Sequence, residues 1–121
     1  MLHFVYNVDA TPSALLRDFI HRIVDPATYP CRLCDLTYGR FLKKPEWSRF
    51  VAALPTRARF HLRGGFRARF PGYRHEPVPA VFVEESPGML RTLISAEELR
   101  TVKDLEALEM LLARRVSSLF D

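Results

Sequence analysis

Val78-Pro79-Ala80-Val81-Phe82-Val83-Glu84-Glu85-Ser86-Pro87-Gly88-Met89-Leu90-Arg91-Thr92-Leu93-Ile94 is the stretch on which the fold turns. Val78 to Val83 is an apolar run of strand length, Glu84 to Gly88 supplies turn residues, and Met89 to Ile94 is a second strand. Together they predict a β-hairpin. Ser95-Ala96-Glu97-Glu98 follows as a capping-box match that starts a short helical turn. Asp104 then opens a longer helix, with Leu105, Leu108, Leu112, Val116 and Leu119 along one stripe.

Upstream of the hairpin, Arg57 to Arg63 alternates polar and apolar residues and predicts a strand with Ala58, Phe60 and Leu62 inward. Gly64-Gly65 is read as its break, and Phe66 to Pro77 as an irregular loop around the Pro71-Gly72 turn. Pro45-Glu46-Trp47 begins a helix with Trp47, Phe50, Val51 and Leu54 on its inner face, closed by Pro55. At the start of the chain, Leu2 to Val8 reads as a buried strand that stops at Asp9. A helix capped by Thr11 or Ser13 follows, with Pro12 in its first turn. Leu15, Leu16, Phe19, Ile20, Ile23 and Val24 form its apolar face, and Asp25-Pro26 ends it. His21, beside that face, is read as a surface or boundary histidine.

A chain of 121 residues predicts one domain over 1–121, large enough to stand without disulfide staples. No apolar run approaches the ~20 residues of a membrane span, so no membrane partner is expected. The N-terminus also lacks the basic, apolar and small-residue order of a secretory leader, so the expected location is the cytoplasm.

The order strand, helix, helix, strand, strand, strand, helix resembles the thioredoxin-like superfamily, most closely from Val78 to Phe120. The resemblance implies an α/β domain in which a mostly antiparallel four-stranded sheet is flanked by helices, with a C-terminal hairpin plus helix. It also implies that Pro79, directly before an apolar strand, is cis and faces an active-site dithiol. In the superfamily the dithiol directly follows the first strand. Here a helix separates Val8 from Cys31, and Arg32-Leu33 stands where Gly-Pro is common. The chain is also similar to a group of small bacterial proteins without assigned function. The similarity runs through Tyr6-Asn7, Thr28-Tyr29-x-Cys31-x-Leu33-Cys34-x-Leu36-Thr37-Tyr38-Gly39, Pro79-Ala80-Val81-Phe82 and Ile94-Ser95-Ala96-Glu97-Glu98. Some members carry a loose GTPase label, which this sequence does not support, having no Gly-rich loop ending in Gly-Lys-Ser or Gly-Lys-Thr.

Cys31 and Cys34 are the only cysteines. Four readings compete for them. The first is redox: Cys31 is the attacking thiolate, helped by Arg32 and backbone N–H groups, and Cys34 is the resolving thiol. Asp35 is taken as a helix cap rather than a proton shuttle. The second is a pair of buried hydrophobic thiols. The third is half of a zinc site completed from His3, His21, His61 and His75, and the fourth a structural disulfide. The redox reading ranks first, with no cofactor, no bound metal, and a disulfide-containing protein as substrate.

The chain carries a net charge of +4, yet no acidic residue lies between Glu46 and Glu76, where seven arginines fall, so the remainder is negative by three. Arg57, Arg59, Arg63, Arg67, Arg69 and Arg74 interleave with Phe60, Phe66, Phe70 and Tyr73. That mix can contact phosphates and stack on bases. The plainer reading ranks above it: exposed arginines on an edge strand deter edge-to-edge pairing. The expectation is thiol-disulfide exchange or redox sensing through Cys31, Cys34 and Pro79. The alternative is a non-enzymatic module binding an anionic partner through 57–74, with nucleic acid a less favoured case than phosphate or an acidic protein.

Overall fold

Leu2–Tyr6 (β1) is buried at every position, and the other three strands are arranged around it. The computed structural model describes residues 1–8, 11–25, 31–38 and 43–120. Asp9, Pro26, the Thr28-Tyr29-Pro30 part of the dithiol block and the segment 39–42 lie outside the described residues, as do the side chains of Phe19 and Ile23. Ala58–Leu62 (β2) runs parallel to β1, with Leu2 opposite Ala58 and Tyr6 opposite Leu62. Ala80–Ser86 (β3) pairs antiparallel on the other side of β1, and Met89–Ile94 (β4) returns antiparallel to β3. The sheet is therefore mixed, in the order β2-β1-β3-β4. A strand with neighbours on both edges and packing on both faces meets no solvent, which is why β1 reads as an apolar run broken only by His3.

Among the described residues six α-helices flank the sheet: Pro12–Val24 (α1), Arg32–Thr37 (α2), Pro45–Ala52 (α3), Arg63–Arg69 (α4), Ala96–Thr101 (α5) and Leu105–Leu119 (α6). One sheet face presents Leu2, Phe4, Tyr6, Val81 and Val83 to Leu33 and Leu36 of α2, Trp47 of α3, Leu99 of α5 and Leu108 and Leu112 of α6. Trp47 is fully buried and meets the Phe4 ring edge-on at 5.4 Å. The other face presents Val5, Ala80 and Phe82 to Phe66 and Phe70 of α4.

The hairpin, both C-terminal helices and their caps follow the sequence, except that β3 starts two residues later and takes in Glu84, Glu85 and Ser86, which the sequence reads as turn. Ser95 and Glu98 close the capping box in both directions, at 3.1 Å each way. The Asp104 carboxylate accepts from the N–H of Ala107 at 2.9 Å. Gly88 sits at φ 78° between β3 and β4, a backbone conformation that only glycine adopts without strain.

Two elements depart from expectation. Residues 63–69 form α4, where the sequence reads a break and a loop. Gly64 and Gly65 lie in the first turn. Phe66 and Phe70, four residues apart, stack onto the sheet, and that burial outweighs the glycines' helix cost of about 1 kcal/mol each. α1 forms as expected, but Leu15, Leu16, Ile20 and Val24 are exposed rather than packed inward. The sheet face of the main core is filled by Leu33, Trp47, Leu108 and Leu112, and α1 meets α2 through Arg22, which donates to the Cys34 carbonyl at 3.5 Å.

Candidate functional site

The dithiol sits where the C-terminal end of β1 meets the start of α2. Cys31 is the N-cap of α2, and Leu33, Cys34, Leu36 and Thr37 are buried along that helix. Leu33 and Leu36 belong to the main core and anchor α2 there. Arg32 fixes the helix from outside: its guanidinium donates to Asp35 at 2.7 Å and to the carbonyls of Val102 at 2.7 Å and Lys103 at 3.1 Å. Asp35 is thereby an ion-pair partner rather than the expected cap, since Cys31 caps α2, and Arg32 clamps α2 to the α5–α6 connection.

Cys31 and Cys34 form a disulfide with Cα atoms 5.3 Å apart. Both are buried, Cys31 to 0% and Cys34 to 7% exposure. Sγ of Cys31 accepts from two backbone N–H groups, that of Cys34 at 3.3 Å and that of Asn7 at 3.4 Å. The side chain of Asn7 accepts in turn from Arg63 at 2.7 Å. Below the sulfurs, the Thr37 hydroxyl donates to the Leu33 carbonyl at 2.7 Å and contacts the Tyr6 hydroxyl at 3.3 Å. Burial pushes the Tyr6 phenol far above its ordinary value, so it stays neutral.

Pro79 is buried and its bond to Val78 is cis. Val5 is opposite Ala80, so extending that register by one residue sets Pro79 beside Tyr6, at the end of β1 from which Asn7 reaches Cys31.

The six arginines of the basic segment are spread over β2, α4 and the residues beside them. Arg57 lies at the start of β2, where its carbonyl accepts from the N–H of Leu2 at 2.8 Å, whereas Arg63 lies past the other end and holds Asn7. Arg67 is partly buried, and Arg74 donates to the Pro71 carbonyl at 3.4 Å. Arg59 on β2 and Arg57 just before it are exposed, and β2 is an edge strand, the placement the edge-protection reading describes for these two. Arg59 lies two residues before His61 on the same strand, and the charges of Arg59 and Arg69 both act on His61.

His61 belongs to a chain of groups that the sequence reading missed. His3 is buried to 0% exposure in β1, and its two ring nitrogens meet His61 Nε2 at 2.8 Å and the Glu84 carboxylate at 2.7 Å. The sequence treats His3 and His61 as candidate zinc ligands and Glu84 as a turn residue. The nitrogens of His3 point to opposite sides and do not converge on an ion. No set of three His, Cys, Asp or Glu among the described residues is placed to hold a metal. The signal that could have found the chain is the parallel pairing of β1 with β2, which brings together residues 58 apart in sequence.

The chain matches no family model, no curated protein and no solved structure. No helix among the described residues is long and apolar enough to cross a membrane.

Proposed function

We propose that Cys31 and Cys34 are a thiol-disulfide redox centre. The observation that carries this reading is the pair of backbone N–H donors on Cys31 Sγ. Donors aimed at a sulfur favour its thiolate over its thiol, and the thiolate is the species that attacks and leaves in disulfide exchange. The disulfide is also poorly suited to be a staple. It closes a ring only three residues apart in sequence, so its constraint on the unfolded chain is worth about 2 kcal/mol or less. Arg32, Leu33 and Leu36 already hold α2 in place.

In the reduced protein, the Cys31 thiolate attacks one sulfur of a disulfide-bearing partner, forming a mixed disulfide and expelling the partner's other sulfur as a thiolate. Cys34 gives its proton to that leaving group and attacks Cys31. The internal disulfide closes, the second partner sulfur is released, and two electrons have passed to the partner. Both sulfurs are buried, so a small disulfide reaches them with less opening of α2 than a protein one, which favours redox sensing over broad exchange.

The strand order β2-β1-β3-β4, the cis Val78–Pro79 bond before β3 and the helix after the hairpin support a thioredoxin-like reading of the fold. A working dithiol fits the cytoplasm, where disulfides are transient rather than structural. The test is an equilibrium titration of the native protein in thiol-disulfide buffers, with free thiols alkylated and counted by mass. One two-electron transition at about −120 to −270 mV, absent in Cys31→Ser, is the expected result. Thiols that stay reduced throughout, or a disulfide that resists the whole range, would overturn the reading.

A further inference from the structure

We propose that His61, Arg59 and Arg69 form a binding site for a small phosphate-class oxyanion, and that binding shares or takes up a proton at His61, the outer end of the His61–His3–Glu84 chain. The site lies on the opposite face of the sheet from the dithiol. Along β2, Ala58, Phe60 and Leu62 pack toward the main core, so Arg59 and His61 project to the other side. There His61 meets His3 from β1 and the rings of Phe66 and Phe70 from α4. Arg69 comes from the last turn of α4, with its guanidinium over the Phe70 ring at 5.7 Å.

The hydrogen-bond chain fixes which nitrogen of His61 is available. The carboxylate of Glu84 is held below its usual range by the Gly88 N–H and by His3, so it is ionised and can only accept. Nε2 of His3 therefore donates to Glu84, and its Nδ1 is left to accept from Nε2–H of His61. Nδ1 of His61 then carries the free lone pair, with no protein partner among the described residues. His61 shares its face of β2 with Arg59, the charges of Arg69 and Arg59 both act on it, and the carboxylate of Glu84 closes the far end of the chain. The charged and titratable groups acting on it are His3 from β1, Glu84 from β3 through His3, Arg59 from β2 and Arg69 from α4.

A phosphate group fits this arrangement on two counts. Guanidinium forks pair with its oxygens in plane. Hydrogen phosphate or a phosphomonoester monoanion also carries an O–H that can donate to the lone pair of His61. Sulfate has the same shape and no such proton, so it can bond to His61 only after the imidazole has been protonated from solution.

The experiment titrates the full-length protein with inorganic phosphate at constant ionic strength, following the His61 ring by NMR and proton uptake by calorimetry in two buffers of different ionisation heat. Expected are a saturable His61 shift and about tenfold or greater weakening in Arg59→Ala/Arg69→Ala. Sulfate binding should tighten as the pH falls toward 5, and proton uptake should be lost in His61→Gln. Arg59→Lys/Arg69→Lys keeps the charge without the fork and should fall between. A His61 shift no larger with phosphate than with chloride, undiminished binding in the double alanine variant, or unchanged proton uptake in His61→Gln would each overturn the proposal.

Discussion

The backbone N–H of Asn7 donates to Sγ of Cys31 over 3.4 Å, so the last turn of chain out of β1 is bonded to the first sulfur of α2. The contact ties the central strand to the cysteine pair through a residue that lies outside β1 and α2. Its position depends on Arg63, which holds the Asn7 side chain at 2.7 Å from the start of α4.

If the cysteine pair works as proposed, Arg63→Ala should therefore move its midpoint potential without removing the disulfide. Releasing Asn7 loosens one of the two donors on Cys31. That raises the energy of the reduced form, so the midpoint should become more negative by about 10–30 mV, equivalent to roughly 0.5–1.4 kcal/mol. The same alkylation titration measures it. An unchanged midpoint in a variant that still folds would show that the Asn7 donor does not act on the sulfur.

Breaking the disulfide should cost little stability. The ring spans a sequence separation of three, so urea unfolding of the oxidised and reduced protein should differ by about 2 kcal/mol or less. Cys34→Ser should behave as the reduced protein does, since the burial of Leu33 and Leu36 and the Arg32 clamp remain. A loss above about 4 kcal/mol would instead identify the bond as a structural staple.

Acid should weaken the fold through His61. Burial first, then His3, Arg69 and Arg59, pull its pKa from 6.5 down to about 4. Between those two values the unfolded chain binds more protons than the folded one, so stability rises with pH across the window and is lost as the pH falls from 6.5 toward 4. Allowing for solvent screening at a partly exposed site, the loss is roughly 1–2 kcal/mol. His61→Gln keeps a donor for His3 and cannot titrate, so urea midpoints measured from pH 7 to pH 4 should flatten relative to the native chain. A slope that persists unchanged in this variant would assign the effect to other groups.

The parts of the molecule that were legible in the sequence are those whose stability is local. The Ser95 capping box, the Asp104 cap, the alternation in β2 and the stripe of α6 each announce themselves within a few residues. The Cys31-x-x-Cys34 spacing shows itself in the same way, but the Asn7 donor and the Arg63 contact behind it span 24 and 56 residues and depend on how strands pair. The His61–His3–Glu84 chain is harder still, because two of its members look like ordinary strand residues until β2 is set parallel to β1. In α1 the helical period is real, yet the period of a helix does not say which surface is free to receive it. Here that core face is occupied by Leu33, Trp47 and the α6 leucines.

The glycines of α4 give the sharpest contrast between propensity and packing. Gly64 and Gly65 are a strong break signal, yet both lie within the helix, and neither has a positive φ. An added Cβ at either position meets no atom within 4 Å. Neither turn geometry nor close approach therefore requires glycine, and what holds the segment helical is the seating of Phe66 and Phe70 against Val5 and Phe82. Two consequences have opposite signs. Gly65→Ala should stabilise the protein by about 0.4–1 kcal/mol, mainly by reducing the freedom of the unfolded chain. Phe66→Ala should cost about 3–5 kcal/mol and release the helix. Urea unfolding measures both, and the NMR signal of His61, whose ring meets Phe66 at 5.7 Å, should shift in the second variant and hold in the first. If Gly65→Ala destabilised the fold, residues 63–69 would need the backbone freedom that their helical φ values do not call for.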